Sequence, residues 1–255
     1  MQLDLNGKVA IVTGGAKGVG LACCLGFSTE GARAIAVDID QEALRKIPDP
    51  IVGIVADVSV ENECKRVVSE IIERFGKIDI LINNVGIEPK DSFRPIHEST
   101  LEMWNHILGV NLTSHFLMMK YVLPEMIRNG GGVIINIASV QSFQSETNGA
   151  AAYGASKGGL LPLTRIAALR YAQNKIRVLA VCPGAIDTPL IRAELDQDGI
   201  KKLGALHPIG RIGNSEEVAS VVCFLASSKA SCMTGTAVHV DGGLMAQGSW
   251  DRKAF

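Results

Sequence analysis

Nowhere in this chain do apolar residues run for the roughly 18 positions that a bilayer-spanning helix requires. Residues 1–8, MQLDLNGK, also lack the basic start and apolar stretch of an export signal. A soluble, cytoplasmic protein without a membrane partner is therefore expected. Excess charge of one sign is missing too: 25 Lys and Arg against 26 Asp and Glu leave a formal net charge of -1. Without a broad basic field, nucleic acid and anionic lipid are not the expected partners, and small molecules or other proteins remain. Paired cysteine spacing is absent. The six cysteines, at 23, 24, 64, 182, 223 and 232, contain no CxxC, so neither a zinc site nor a disulfide framework is indicated. They read as reduced, mostly buried thiols, with a small reserve for Cys182 and Cys232 as reactive groups. The histidines at 97, 106, 115, 207 and 239 form no HExxH and no cluster with acids, so no metal is expected, and His207 is read as a surface residue.

What is present builds a core. Hydrophobic residues make up 47% of the 255 and charged ones 20%, which is globular usage rather than that of a disordered chain. Residues 8–13 (KVAIVT) form a β-branched run that stops at Gly14-Gly15, as a buried parallel strand does before a helix. In the loop between them, Gly14, Gly18 and Gly20 permit a tight turn and let phosphate approach the backbone at a helix start, with Lys17 and Val19 between. The next apolar run, 34–37, ends at Asp38, near the offset of about 20 residues expected for an acid that binds an adenosine ribose. A carboxylate there accepts hydrogen bonds from a free 2′-hydroxyl and repels a 2′-phosphate, which favours NAD. Lys17 pulls towards NADP, or serves the pyrophosphate, or points to solvent. A third strand, 51–56, closes at Asp57-Val58, where Asp57 either meets the adenine or caps the helix expected over 60–75. A fourth, 79–82, leads into the polar turn Asn83-Asn84-Val85-Gly86. Strands alternate with helices, and no Pro- or Ser-rich linker interrupts them, so one continuous parallel sheet is expected.

In the second half, Tyr153 and Lys157 stand four apart, on one face of a helix. A phenol with a pKa of about 10 is a poor proton-transfer group at neutral pH unless a cation favours the phenolate, and Lys157 supplies one. Ser139 follows the strand 133–138, whose C-terminal end points to the ligand crevice of an open α/β sheet, and Asn111 sits inside the apolar stripe of a long helix over about 101–126. Strand 177–182 runs into Pro183-Gly184. Segment 185–208 has the length of a lid or binding loop, and Ser215 with Glu216 and Glu217 opens the next helix as its N-cap.

Together these elements resemble the classical branch of the short-chain dehydrogenase/reductase family: the loop 13–20, the turn 83–86, Ser139 with Tyr153 and Lys157, and Cys182-Pro183-Gly184 occur in order over residues 8–243. The resemblance implies a single α/β, doubly wound Rossmann-type domain over 1–255, with about seven parallel strands in the order 3-2-1-4-5-6-7. Residues 1–100 are then mainly the dinucleotide-binding half, and 101–255 the catalytic and substrate-binding half. Tyr153 is implied to be the acid/base, Lys157 to lower its pKa and hold the nicotinamide ribose, Ser139 to bind the reacting oxygen, and Asn111 to bend its helix and serve a proton relay. Asn84 and Gly86 steady the cofactor, and Ile186 and Thr188 meet the nicotinamide carboxamide, although Thr188 also suits a helix cap. Segment 185–208 resembles the family's mobile substrate loop, and a homotetramer is implied, with two helices, including that of Tyr153, paired across subunits. Three residues depart from the family pattern. Val85 stands in place of alanine, Leu179 in place of asparagine, and Pro162 lies in the catalytic helix, where a kink beyond Lys157 is expected.

The expected function is NAD-dependent interconversion of a secondary alcohol and a ketone. Gln141, Gln144, Glu146, Thr147 and Asn148 follow Ser139 and suit a sugar, polyol or cyclic diol; Gln141, with Ser139 and Tyr153, is the substrate-binding candidate. The alternatives are an NADPH-dependent reductase of 3-oxoacyl thioesters or other ketones, and a nucleotide-sensing protein without turnover. The tail 244–255, with Trp250 and Phe255, closes a pocket or an interface, or frays.

Overall fold

The computed structural model describes residues 3–247, so Trp250 and Phe255 lie outside the described residues. Its strands are β1 (Val9–Thr13), β2 (Arg33–Asp38), β3 (Val52–Val55), β4 (Ile80–Asn83), β5 (Gly132–Ile137), β6 (Ile176–Pro183), β7 (Ile186–Asp187), β8 (Gly213–Asn214) and β9 (Ala237–Val240). Seven of them form one all-parallel sheet in the order β3-β2-β1-β4-β5-β6-β9. The last is ninth rather than seventh along the chain because β7 and β8 pair only with each other. The helices are α1 (Gly18–Thr29), α2 (Gln41–Leu44), α3 (Glu61–Phe75), α4 (Leu101–Leu108), α5 (Ser114–Arg128), α6 (Ala151–Tyr171), α7 (Pro189–Glu194), α8 (Gln197–Ala205) and α9 (Ser215–Ala226).

Strand alternation sorts the core into two layers. Ala10 and Val12 of β1 pack with Cys23 and Phe27 of α1 and with Val218 and Val222 of α9. Val9 and Ile11 face the other way, onto Val67 and Ile71 of α3 and Met118 and Val122 of α5. Because helices cover both faces, the strands read as continuous apolar runs. Leu179 is fully buried within the first layer, so apolar packing occupies the place where a hydrogen-bonding side chain was expected. Of the cysteines, the five at 23, 24, 64, 182 and 223 are buried free thiols, and Cys232 is exposed. Burial pushes the Cys182 thiol up to about 11, away from reactivity.

Two local expectations are revised, and two further segments are defined. The helix foreseen over 101–126 is α4, a π-helical turn (Gly109–Thr113) and α5, the widened turn falling on Asn111. Segment 185–208 is largely regular, being built from β7, α7 and α8. The N-cap of α9 is Asn214 rather than Ser215: its side chain accepts the Glu217 amide while Glu217 accepts the Asn214 amide, a reciprocal capping box. Pro162 lies inside α6, which runs from Ala151 to Tyr171. No helix among the described residues is long and apolar enough to cross a membrane.

Candidate active site

The C-terminal ends of the parallel strands carry the polar residues. Gly14 and Gly18 have φ of +62° and +52°, which only glycine adopts without strain. At Gly20 a Cβ would lie 2.0 Å from the Gly14 carbonyl oxygen and 2.7 Å from Asn84 Nδ2, so α1 packs backbone to backbone against the loop. Asn84 Nδ2 donates to the carbonyls of Thr13 (3.0 Å) and Gly14 (3.2 Å), tying the turn after β4 to that loop. Among the described residues no side chain hydrogen-bonds the start of α1, which leaves its first amides directed at the crevice, as pyrophosphate binding requires. Val19 packs its side chain into the core, so the loop meets a ligand through backbone.

At the end of β2, Asp38 accepts the Ala16 amide on Oδ2 (3.1 Å) and the Asp40 amide on Oδ1 (3.0 Å). Lys17 does not extend into the crevice. Its Nζ donates to Asp40 Oδ2 at 2.5 Å, a contact that raises the pKa of the lysine and lowers that of the acid. Asp57 takes the Ser59 amide (2.9 Å) and hydroxyl (2.6 Å) on one oxygen, Oδ1. These bonds close a turn just before α3, whose N-cap is Val60 with no side-chain cap bond, and Val58 is buried beside it.

Tyr153 and Lys157 project from the first two turns of α6, with the ammonium 5.8 Å from the phenol ring centroid. Lys157 is 3% exposed, and its Nζ donates to the Ile137 carbonyl at the end of β5 (2.8 Å). A Cβ at Gly86 would lie 3.1 Å from that Nζ and 3.7 Å from Asn111 Oδ1, so the glycine lets the turn after β4 close on both. Asn111 holds the same turn: Oδ1 accepts the Ile87 amide (2.8 Å), while Nδ2 donates to the Ile87 carbonyl (2.9 Å) and to Ser156 Oγ (3.3 Å). Ser156 Oγ donates onward to the Tyr153 carbonyl (2.7 Å). The Ser139 hydroxyl accepts the Gln141 amide (3.1 Å) and lies beside the phenol.

Electrostatics at this cluster follow burial first. Removal from water pushes the Lys157 ammonium down to about 8, against the pull of Cys182 and Glu88. The Tyr153 phenol is pushed well above its ordinary value by burial, then by Glu88, with Ser139 acting the other way and Glu146 adding to the rise. Burial comes first here, and the Lys157 cation that was expected to lower the phenol, 5.8 Å from the ring centroid and bonded to the Ile137 carbonyl, does not offset it. Glu88 was not anticipated, although its position, two residues past Gly86 at a strand's C-terminal end, is where a site residue is found.

On the far side, Pro183 ends β6 and Gly184 follows it, donating to the Val240 carbonyl (3.1 Å). Ile186 is buried. Thr188 caps α7 by accepting the Ile191 amide (3.5 Å), and its Cγ2 lies 3.4 Å from where a Gly18 Cβ would be. The two halves of the crevice therefore meet there. Gln141 donates to Glu146 Oε1 (3.2 Å) at the mouth, while Gln144, Thr147 and Asn148 are exposed. His207 is not a surface residue. It is 3% exposed, with Nε2 accepting the Ala185 amide (3.2 Å).

Behind Lys157 lies a buried polar layer that sequence reasoning missed. Asn83 Nδ2 donates to Asn136 Oδ1 (3.0 Å), and Asn136 Nδ2 to Thr164 Oγ1 (2.9 Å). His115, fully buried one turn beyond Asn111, is held well below the usual histidine range by burial and by Lys157. The spacing of four from Asn111 was its available signal. Among the described residues no group of acids, histidines and cysteines has the arrangement of a metal site.

The loop, the uncapped start of α1 and Asp38 fit a nicotinamide dinucleotide, and relatives agree. A family model described as enoyl-(acyl carrier protein) reductase matches residues 14–245. The 2-(R)-hydroxypropyl-CoM dehydrogenase of Xanthobacter autotrophicus is 38% identical, over 92% of this chain and 97% of its own. A 3-oxoacyl-acyl-carrier-protein reductase of Thermotoga maritima is 37% identical, over 95% of this chain and all (100%) of its own. The ligand-free aldohexose dehydrogenase of Thermoplasma acidophilum superposes with a TM-score of 0.91 at 37% identity, covering 98% of this chain and 99% of that one. With its strand order and the glycine loop, Ser139, Tyr153 and Lys157 in place, this chain belongs to the short-chain dehydrogenase/reductase family of NAD(P)-linked oxidoreductases that act on secondary alcohols.

Proposed function

We propose that this protein uses NAD to interconvert a secondary alcohol and a ketone on a neutral, hydroxylated substrate such as a sugar, polyol or cyclic diol. The observation that carries the cofactor choice is the ion pair of Lys17 with Asp40. It occupies the loop cation that would otherwise serve a 2′-phosphate, and it leaves Asp38 to accept hydrogen bonds from a ribose diol. Gly14, Gly18 and Gly20 with the start of α1 hold the pyrophosphate, Asp57 and Val58 border the adenine, and Asn84, Gly86, Pro183, Gly184, Ile186 and Thr188 line the nicotinamide half. Bound there, the dinucleotide supplies the hydride acceptor or donor.

The chain's own residues manage the proton. Tyr153 takes it from the substrate hydroxyl during oxidation and returns it to the carbonyl oxygen during reduction. Ser139 hydrogen-bonds that oxygen and fixes its position. Lys157 places a positive charge beneath the phenol and holds the ribose, and Asn111, at the widened turn, relays protons towards solvent. Glu88 and Glu146 both act on Tyr153, giving the cleft a negative field that favours neutral hydroxylated molecules over anionic ones. The Gln141–Glu146 pair presents hydrogen-bonding groups at the mouth, in keeping with the aldohexose dehydrogenase among the similar structures. The exposed Phe116 of α5 and Ile166 and Leu169 of α6 suit helix pairing between subunits of a homotetramer.

Titration with NADH and with NADPH, read by nicotinamide fluorescence, tests the cofactor assignment. At least tenfold tighter NADH binding is expected. Tighter NADPH binding means that Lys17 leaves Asp40 for the 2′-phosphate, and the ketone-reductase reading takes precedence.

A further inference from the structure

The chain leaves the sheet at Pro183, builds β7, α7 and α8, and returns at His207. That residue is buried at the end of α8 and touches the point of departure. Its Nε2 accepts the Ala185 amide at 3.2 Å, and its Nδ1 lies 3.0 Å from the Leu203 carbonyl. An amide donor needs a lone pair on Nε2 and a carbonyl needs a proton on Nδ1, so both contacts are made together by a single neutral tautomer. The fit is close: a Cβ at Gly184 would lie 2.8 Å from His207 Nε2 and 3.0 Å from Asp241 Cα, so the turn is held between the imidazole and the end of β9.

Backbone bonds fix everything around this contact. Gly184 donates to Val240 (3.1 Å), Gly213 to the Ala185 carbonyl (2.9 Å), Ile209 to Gly242 (3.2 Å), and Gly210 to the His207 carbonyl (2.7 Å). The Ala185 amide is satisfied by His207, a side chain that arrives 22 residues later. This side-chain bond joins the two ends of the 185–207 excursion directly, immediately before Ile186 and Thr188.

We propose that His207 is a positioning residue that clasps the base of the substrate-covering segment to the turn facing the nicotinamide. Cover and cofactor contact are then set by the same bond. The cofactor side of this statement rests on the reading above that Ile186 and Thr188 face the nicotinamide; the clasp itself does not.

Two substitutions separate the clasp from simple filling of space. Glutamine carries its amide oxygen to about the place of Nε2 and keeps an acceptor for Ala185, whereas asparagine reaches only the place of Nδ1 and leaves the Ala185 amide unpaired. Limited trypsin digestion of the full-length protein reads local opening at the exposed Arg192, Lys201 and Lys202 of the excursion. Without nucleotide, His207→Gln is expected to be cut within threefold of the wild-type rate and His207→Asn at least tenfold faster at these three sites, with cleavage elsewhere unchanged. With NADH as the probe, His207→Asn is expected to bind within threefold of wild type, because Asp38 and the glycine loop are intact, but to lose at least half of the nicotinamide fluorescence enhancement. Equal cleavage rates for the two variants, or faster cleavage throughout the chain, overturn the clasp. A wild-type protein that fails to bind NADH overturns the cofactor reading, while the nucleotide-free digestion still decides the clasp.

Discussion

The negative groups around Tyr153 set the conditions under which it exchanges protons. Because the Glu88 carboxylate raises the phenol's pKa, Glu88→Gln is expected to move the alkaline rise of alcohol oxidation to lower pH. The measurement is kcat/KM against pH with NAD and the best alcohol from a panel of aldoses and cyclic alcohols; an unmoved or raised limb contradicts the assignment. His115 makes a separate prediction about stability. Its folded pKa lies well below the ordinary value of about 6.5, so below that pH the unfolded chain binds a proton that the folded one refuses. Its contribution is therefore lost as pH falls, with a slope of up to about 1.4 kcal/mol per pH unit. Urea unfolding at pH 7, 6 and 5 is expected to show a shallower loss for His115→Gln than for wild type, and parallel curves refute it. Residues whose chemistry is local, such as Tyr153, Lys157 and Asp38, could be singled out as candidates in the sequence. Glu88, His115 and His207 could not, because the groups that give them a role, Tyr153, Lys157 and the Ala185 amide in turn, lie far away in the chain.

At the scale of elements, the Rossmann half was readable because glycine and β-branched residues punctuate it. Gly20 shows how tightly that reading binds. Gly20→Ala brings a methyl against the Gly14 carbonyl and Asn84, so a destabilisation of about 1–3 kcal/mol and at least tenfold weaker NADH binding are expected, measured by thermal unfolding and fluorescence titration. Normal stability with normal binding contradicts the close approach. The break in the long helix was less legible: apolar spacing over 101–126 is continuous, and the widened turn arises because the Asn111 side chain bonds Ile87, far away in sequence. The cap of α9 moved by one residue for a similar reason, since both Asn214 and Ser215 are good N-caps. Glu217, bonded also to Arg211 and held at about 2, decides between them by closing the box with Asn214. Segment 185–208 read as a loop because its polar insertions mask two short helices.

For the whole molecule, Phe116 of α5 and Ile166 and Leu169 of α6 are exposed among the described residues, and the proposed homotetramer would cover them by helix pairing. Light scattering is expected to give four times 27.1 kDa, and Leu169→Lys a smaller species; a monomeric wild type contradicts the tetramer. Strand order was legible because parallel sheets constrain connections strongly, while the numbering of the last strand was not, since β7 and β8 are two residues each. The central claim is that Tyr153 carries the proton in NAD-linked alcohol oxidation. Its most direct test compares wild type with Tyr153→Phe for NADH formation across the same panel of aldoses and cyclic alcohols. Loss of turnover by at least about 10²-fold, with NADH affinity unchanged, is the expected result; turnover by Tyr153→Phe equal to wild type contradicts the account.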